Sequence, residues 1–117
     1  MDNVKDDAYY LQKLKKDLGF ITAHMSGIAE DSFEADEVLQ DSMMFRLIQV
    51  SENAKKLTDQ FKAGHPHIPW SDVYGLRNRI VHDYGMVDLH IIYTTLVNDI
   101  PDLLNNLEDD MDTEGKG

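Results

Sequence analysis

The stretch VKDDAYYLQKLKKDLGFITAHMSGI, residues Val4–Ile28, decides the fold. In it Val4, Leu11, Leu14, Leu18, Ile21, Met25 and Ile28 recur at spacings of three, four or seven. That spacing stacks apolar side chains on one helical face and predicts a long first helix, slightly weakened by Gly19 and Gly27. After it, Glu30-Asp31-Ser32 is expected to hold a turn. A second helix is predicted from about Glu34 to Lys62, with Val38, Leu39, Met43, Leu47, Val50, Ala54, Leu57 and Phe61 as its stripe. The segment Gly64-His65-Pro66-His67-Ile68-Pro69 breaks it, because proline lacks an amide donor and restricts its predecessor. A short third helix is expected from Trp70 to about His82, capped by Ser71 or Asp72 and burying Val73, Leu76 and Ile80, with Gly85 as its stop. Asp88 is the expected cap of a fourth helix carrying Leu89, Ile92, Leu96, Ile100, Leu103 and Leu107, kinked at Pro101. No segment alternates with period two. The expectation is therefore an all-α protein: an antiparallel four-helix bundle, two helices long and two shorter, with a short extra turn and a kinked last helix. The bundle is expected to occupy residues 1–107. Residues 108–117, acidic and nearly without apolar side chains, are expected to form a frayed, disordered tail.

The chain has 117 residues, the size of one domain, and 42% apolar residues. So small a core is only modestly stable alone, and dimerisation would help it. There are no cysteines, which excludes disulfides and thiolate metal sites and fits a reducing cytosol. No apolar run approaches the roughly 20 residues needed to span a bilayer. The N-terminal Met1–Asp7 lacks the apolar stretch of a signal peptide. A cytoplasmic protein is expected. Its net charge is −11, from 22 acids against 11 bases, so the surface as a whole should repel nucleic acid. The charge is uneven, however. Residues 46–62 hold four bases against two acids, whereas residues 30–41 hold six acids and no base. The middle of the chain is thus a candidate for a local basic or neutral surface inside an acidic shell.

Phosphate-cradling glycine loops, a serine nucleophile elbow and a His-Glu-x-x-His element are all missing from the sequence. Glu52 and Asn53 have no His three or four residues away, which argues against a di-iron carboxylate site. His24 reads as a surface or boundary residue. His65 and His67 flank Pro66, and such a pair binds metal only with further ligands. His90 falls in the first turn of the fourth helix, where positive charge is disfavoured, and is expected to be neutral.

His82 stands apart from these. Arg77 precedes it by five residues, Asn78 by four, and Tyr84 follows by two. On a helix Asn78 and His82 share a face, while Arg77 lies about 140° round from His82. If the helix ended before His82, its imidazole could turn back toward Arg77. A guanidinium, an amide and a titratable imidazole together suit phosphate-ester chemistry, since Arg holds phosphate oxygens through a planar fork and His shuttles protons near neutrality. The competing reading is an ordinary Arg–His pair at a helix end.

Several segments together tip that balance: Ile68-Pro69-Trp70, Gly75-Leu76-Arg77-Asn78-Arg79-Ile80-Val81-His82-Asp83-Tyr84, Val87-Asp88-Leu89, Asn98-Asp99-Ile100-Pro101 and Ser51-Glu52-Asn53-Ala54-Lys55-Lys56-Leu57. Over roughly Asp6 to Leu107 the chain resembles the HepT-like branch of the HEPN superfamily, with the hallmark Arg, four residues, His, one residue, Tyr intact. Ser51 stands where that family often has Gly. The resemblance implies the toxin of a type VII-like toxin–antitoxin pair, a homodimeric, metal-independent endoribonuclease that needs no cofactor. It also implies, as partner, a minimal nucleotidyltransferase antitoxin, which transfers AMP to the tyrosine that is here Tyr84 and can join the dimer in a higher complex.

RNA carries its own nucleophile, the 2′-hydroxyl. His82 is the expected proton carrier and Arg77 the stabiliser of the phosphorane charge. Asn78 either orients the histidine or phosphate, or is a plain surface amide. A two-fold dimer would bring two His82 and two Arg77 into one cleft, one imidazole as base and one as acid. Arg79 is expected to be a solvated charge and Trp70 a core anchor. The alternative is a non-catalytic HEPN module that binds and regulates a partner nucleotidyltransferase; a helical interaction domain with no nucleotide business is the third reading.

Overall fold

The computed structural model describes residues 6–83 and 87–116, with side chains described up to Val81 and again from Val87 to Glu108. Every regular element among the described residues is helical, in line with the expected all-α bundle: α1 (Asp7–Met25), α2 (Glu30–Glu34), α3 (Glu37–Lys55), α4 (Asp59–Ala63), α5 (Trp70–Asp83), α6 (Leu89–Thr94), a π-helical turn (Thr95–Asp99) and α7 (Ile100–Lys116). Helix α1 packs on α3 and on α7, and α3 packs on α5. The spatial order α5–α3–α1–α7 leaves a groove of about 470 Å³ between α5 and α7, walled by Val73, Leu76 and Arg79 on one side and Asp99, Ile100 and Leu103 on the other.

Helix α1 begins at Asp6, whose carboxylate accepts the Tyr9 amide at 3.0 Å and so satisfies one orphan donor of the first turn. Leu11, Leu14, Leu18, Ile21 and Met25 are buried as the spacing requires. The helix stops at Met25 because Gly27 adopts φ +77, a left-handed conformation that costs glycine little and turns the chain away. Ile28 therefore lies beyond the helix, half-buried, and Val4 lies outside the described residues.

Three local readings are corrected. The acidic turn at Glu30-Asp31-Ser32 is the start of helix α2, which buries Phe33 completely. Gln40 donates its amide to the carbonyls of Phe33 and Glu34, at 2.9 and 3.1 Å, and so satisfies the end of that short helix. The predicted second helix is two helices. It starts at Glu37, capped by Asp36, which leaves Val38 81% exposed rather than in the stripe. It ends at Lys55 because Thr58 is a cap of its own, accepting the Phe61 amide at 3.1 Å. The amide and hydroxyl of Thr58 both donate to the Asp7 carboxylate, at 2.8 and 2.7 Å. A threonine bonded in this way competes with continuation of the helix. Helix α5 starts at Trp70, the Val73 amide bonding to the Pro69 carbonyl at 3.1 Å, so Ser71 and Asp72 sit in the first turn rather than at the cap.

The last helical stretch follows the expected stripe. Asp88 caps it by accepting the amides of His90 and Ile91, and Ile92, Leu96, Ile100, Leu103 and Leu107 are buried. The disturbance attributed to Pro101 takes the form of the π turn immediately before it, where the Ile100 amide reaches back to the Thr95 carbonyl. A wider turn accommodates the carbonyl that proline cannot serve and that its ring would strike. The backbone remains helical to Lys116, past Leu107, so this stretch is the longest of the bundle and not a shorter one.

Candidate active site on helix α5

Helix α5 is fixed over its first turns by Trp70 and by a hydrogen bond from α3. The Trp70 indole donates to the His65 carbonyl at 3.1 Å and meets Phe61 edge-on, its ring centroid 6.2 Å away, which makes it the anchor its position suggested. Ser51 is fully buried, and its hydroxyl donates to the Tyr74 carbonyl of α5 at 3.0 Å. The departure from glycine thus adds a hydrogen bond between the two helices. Val73, Leu76 and Ile80 seat the opposite edge of α5 in the core.

Arg77 is one position outside that core edge, half-exposed. Its Nε is 3.2 Å from Glu52 Oε2 on α3, and its Nη1 donates to Asn78 Oδ1 at 3.4 Å. Asn78 is exposed and addresses Arg77. The backbone of His82 is helical, since α5 continues to Asp83; the turn-back of a helix ending before His82 does not occur. Positions 77 and 82 thus keep the helical separation of about 140° and about 7.5 Å along the axis. The side chain of His82 and the whole of Tyr84 lie outside the described residues. Of the predicted site residues the structure therefore brings together Arg77 and Asn78, and adds Glu52.

Glu52, weighed in the sequence only for a di-iron role, is the residue that sequence reasoning did not place beside Arg77. The signal was there: it lies in the quoted segment Ser51–Leu57, as one of only two acids among the bases of residues 46–62. The basic character of that stretch is also partly spent inside the protein. Arg46 pairs with Asp17 at 2.8 Å and stacks over Phe20, its guanidinium carbon 3.8 Å from the ring centre. Lys62 lies 4.7 Å from the centre of the Tyr74 ring and Lys56 lies 5.5 Å from that of Tyr10.

The remaining histidines have local duties. His24 stacks on Phe20, with its Nδ1 at 2.9 Å from the Phe20 carbonyl oxygen. His65 is buried against Phe61. His90 is corrected: its Nδ1 lies 2.8 Å from Glu30 Oε2, and bonding to and attraction by Glu30 raise its pKa above the usual histidine value. The carboxylate outweighs the unfavourable helix start. Among the described residues no group of three or more His, Asp or Glu is placed to hold a metal ion, and no helix is long and apolar enough to cross a membrane.

The all-helical bundle with its Arg-bearing motif helix is consistent with the HEPN class. More narrowly, the family model for ribonuclease HepT-like proteins matches residues 14–109, and the chain belongs to that family. It is 28% identical to the candidate RNase TTE0752 of Caldanaerobacter subterraneus subsp. tengcongensis, over 90% of this chain and 94% of the relative. The probable ribonuclease HepT of Thermococcus cleftensis is 28% identical over 85% of this chain and 90% of its own. The candidate RNase MJ0127 of Methanocaldococcus jannaschii is 25% identical over 96% and 93%. No solved structure gives a significant match.

Proposed function

We propose that this chain is a metal-independent endoribonuclease, the toxin of a toxin–antitoxin pair acting in the cytoplasm. The observation that carries the reading is the Arg77 guanidinium, exposed on α5 inside the segment matched by the ribonuclease HepT-like family. In the proposed reaction the imidazole of His82 removes the proton of a 2′-hydroxyl, whose oxygen attacks the adjacent phosphorus. Arg77 stabilises the charge gathering on the phosphorane oxygens. A second imidazole protonates the departing 5′-oxygen, leaving a 2′,3′-cyclic phosphate and a 5′-hydroxyl.

One chain offers one such histidine, so the reaction is assigned to a homodimer. Exposed apolar side chains support that assignment: Val38 and Phe45, seven residues apart on α3, and Val81 on α5 are 81%, 56% and 44% exposed. Apolar surface of this kind gains from being covered by a second copy. The proposed partner is a minimal nucleotidyltransferase antitoxin that transfers AMP from ATP to the Tyr84 hydroxyl, releasing pyrophosphate. The added anion, two residues from His82, would fill the phosphate site and repel RNA. Intact-mass measurement of the protein co-expressed with that enzyme tests this: AMP-sized increments are expected, absent in Tyr84→Phe, and an unmodified but neutralised toxin would mean that the partner acts by binding.

The ribonuclease reading is tested by incubating a labelled oligoribonucleotide with the purified protein in EDTA. Cleavage that stops at a single deoxyribose substitution at the cut site is expected. Cleavage that needs added magnesium, or that ignores the deoxyribose, would sink it.

A further inference from the structure

We propose that Glu52 is a resident stand-in for the RNA phosphate at Arg77, neutralising the guanidinium in the free protein and yielding it when RNA binds. The inference rests on the ribonuclease reading and concerns how strongly that site takes its substrate. A carboxylate and a phosphate offer a guanidinium the same kind of anionic oxygen, so both compete for its donors. Glu52 Oε2 is already at Arg77 Nε, 3.2 Å away.

The pair is built to be exchanged. Its side chains are 42% and 41% exposed, and an ion pair so placed in water is weak. A phosphate group can displace it at little cost. Asn78, whose Oδ1 accepts from Nη1, keeps a hold on the guanidinium from its own helix while the carboxylate is replaced. Releasing the guanidinium from Glu52 is a cost that RNA binding at Arg77 must meet. Glu52 therefore weakens substrate binding and acts on KM, while the chemical step stays with Arg77 and His82. Glu52 is a residue that tunes affinity through Arg77; it does not touch the reacting atoms.

The test uses the full chain and Glu52→Gln, which keeps the shape and removes the charge, with Glu52→Ala as a second variant should the first not fold. Binding is read by fluorescence anisotropy with a short, uncleavable 2′-O-methyl oligoribonucleotide, and cleavage with its unmodified counterpart. Binding about two- to five-fold tighter is expected, with KM lowered by the same factor and kcat unchanged. The gain should vanish in an Arg77→Ala background. Unchanged or weaker binding by Glu52→Gln, an equal gain without Arg77, or a change confined to kcat would each overturn the proposal. Binding without cleavage by the wild-type protein would remove the ribonuclease reading alone, and the anisotropy comparison would still decide the role of Glu52.

Discussion

Among the described residues, two arginine–carboxylate pairs tie helix α3 to a neighbour, Asp17–Arg46 to α1 and Glu52–Arg77 to α5, and each includes an asparagine. At Asp17–Arg46 the carboxylate is buried, its two oxygens taken by Arg46 Nη1 at 2.8 Å and Asn53 Nδ2 at 3.2 Å. At Glu52–Arg77 both side chains stand largely in water, and the asparagine serves the arginine instead of the carboxylate. The first arrangement holds its arginine against a buried carboxylate and over the Phe20 ring, and reads as a structural bolt between α1 and α3. The second leaves a cation that is held but replaceable. Burial, not the residue types, separates a structural arginine from one available for phosphate.

The largest expected effect follows from that contrast. Asp17→Ala strands a largely covered guanidinium and an asparagine amide, and should lower stability by about 2–4 kcal/mol in a urea titration. Arg77→Ala should cost under about 1 kcal/mol in the same titration, as exposed pairs do. Equal losses would erase the distinction between the two pairs. A smaller effect concerns the helix interface beneath Arg77. Ser51→Ala removes the hydroxyl that bridges to the Tyr74 carbonyl and should cost about 0.5–1.5 kcal/mol; no loss of stability would show that the bond contributes nothing net.

The third pair, Glu30–His90, extends the comparison to a cation that titrates. His90 on α6 and Glu34 on α2, both beside Glu30, point the same way with pH. The folded-state pKa of His90 is raised through Glu30, so its contribution is complete below the usual histidine pKa and fades as pH rises through the higher folded value. Glu34 is raised as well, first by its hydrogen bond with Glu30, then by desolvation and by the charges of Glu30 and Asp31, so the folded state favours its proton and loses that preference as pH climbs past the carboxylate range. Protection of the α2 amides, taken relative to intrinsic exchange at each pH, should therefore fall modestly as pH rises through and above the usual histidine range, and His90→Ala should flatten that dependence. A pH profile identical in the variant would remove His90 from the account.

The helical periodicity of residues 11–25 and 89–107 was readable because each stripe is a local property of the chain. What escaped was set by distant partners. The break at Thr58 depends on Asp7, 51 positions away in sequence, and a threonine in a helical pattern carries no mark of it. Phe33 vanished into an acidic turn because a five-residue helix is too short to show a period. The π turn before Pro101 replaced a simple kink because the neighbouring backbone could widen. At the site, Arg77 and Asn78 were legible from the motif, whereas Glu52 became visible only once α3 and α5 were laid side by side.

The central claim is that Arg77 serves phosphate chemistry and not the fold. It is tested most directly by measuring RNA cleavage in EDTA alongside thermal melting for wild-type, Arg77→Ala and Arg46→Ala proteins. The account predicts that Arg77→Ala melts within about 2–4 °C of wild type and has lost cleavage. Arg46→Ala should melt lower yet cleave at close to the wild-type rate while folded. Full cleavage by a folded Arg77→Ala protein would contradict the account outright.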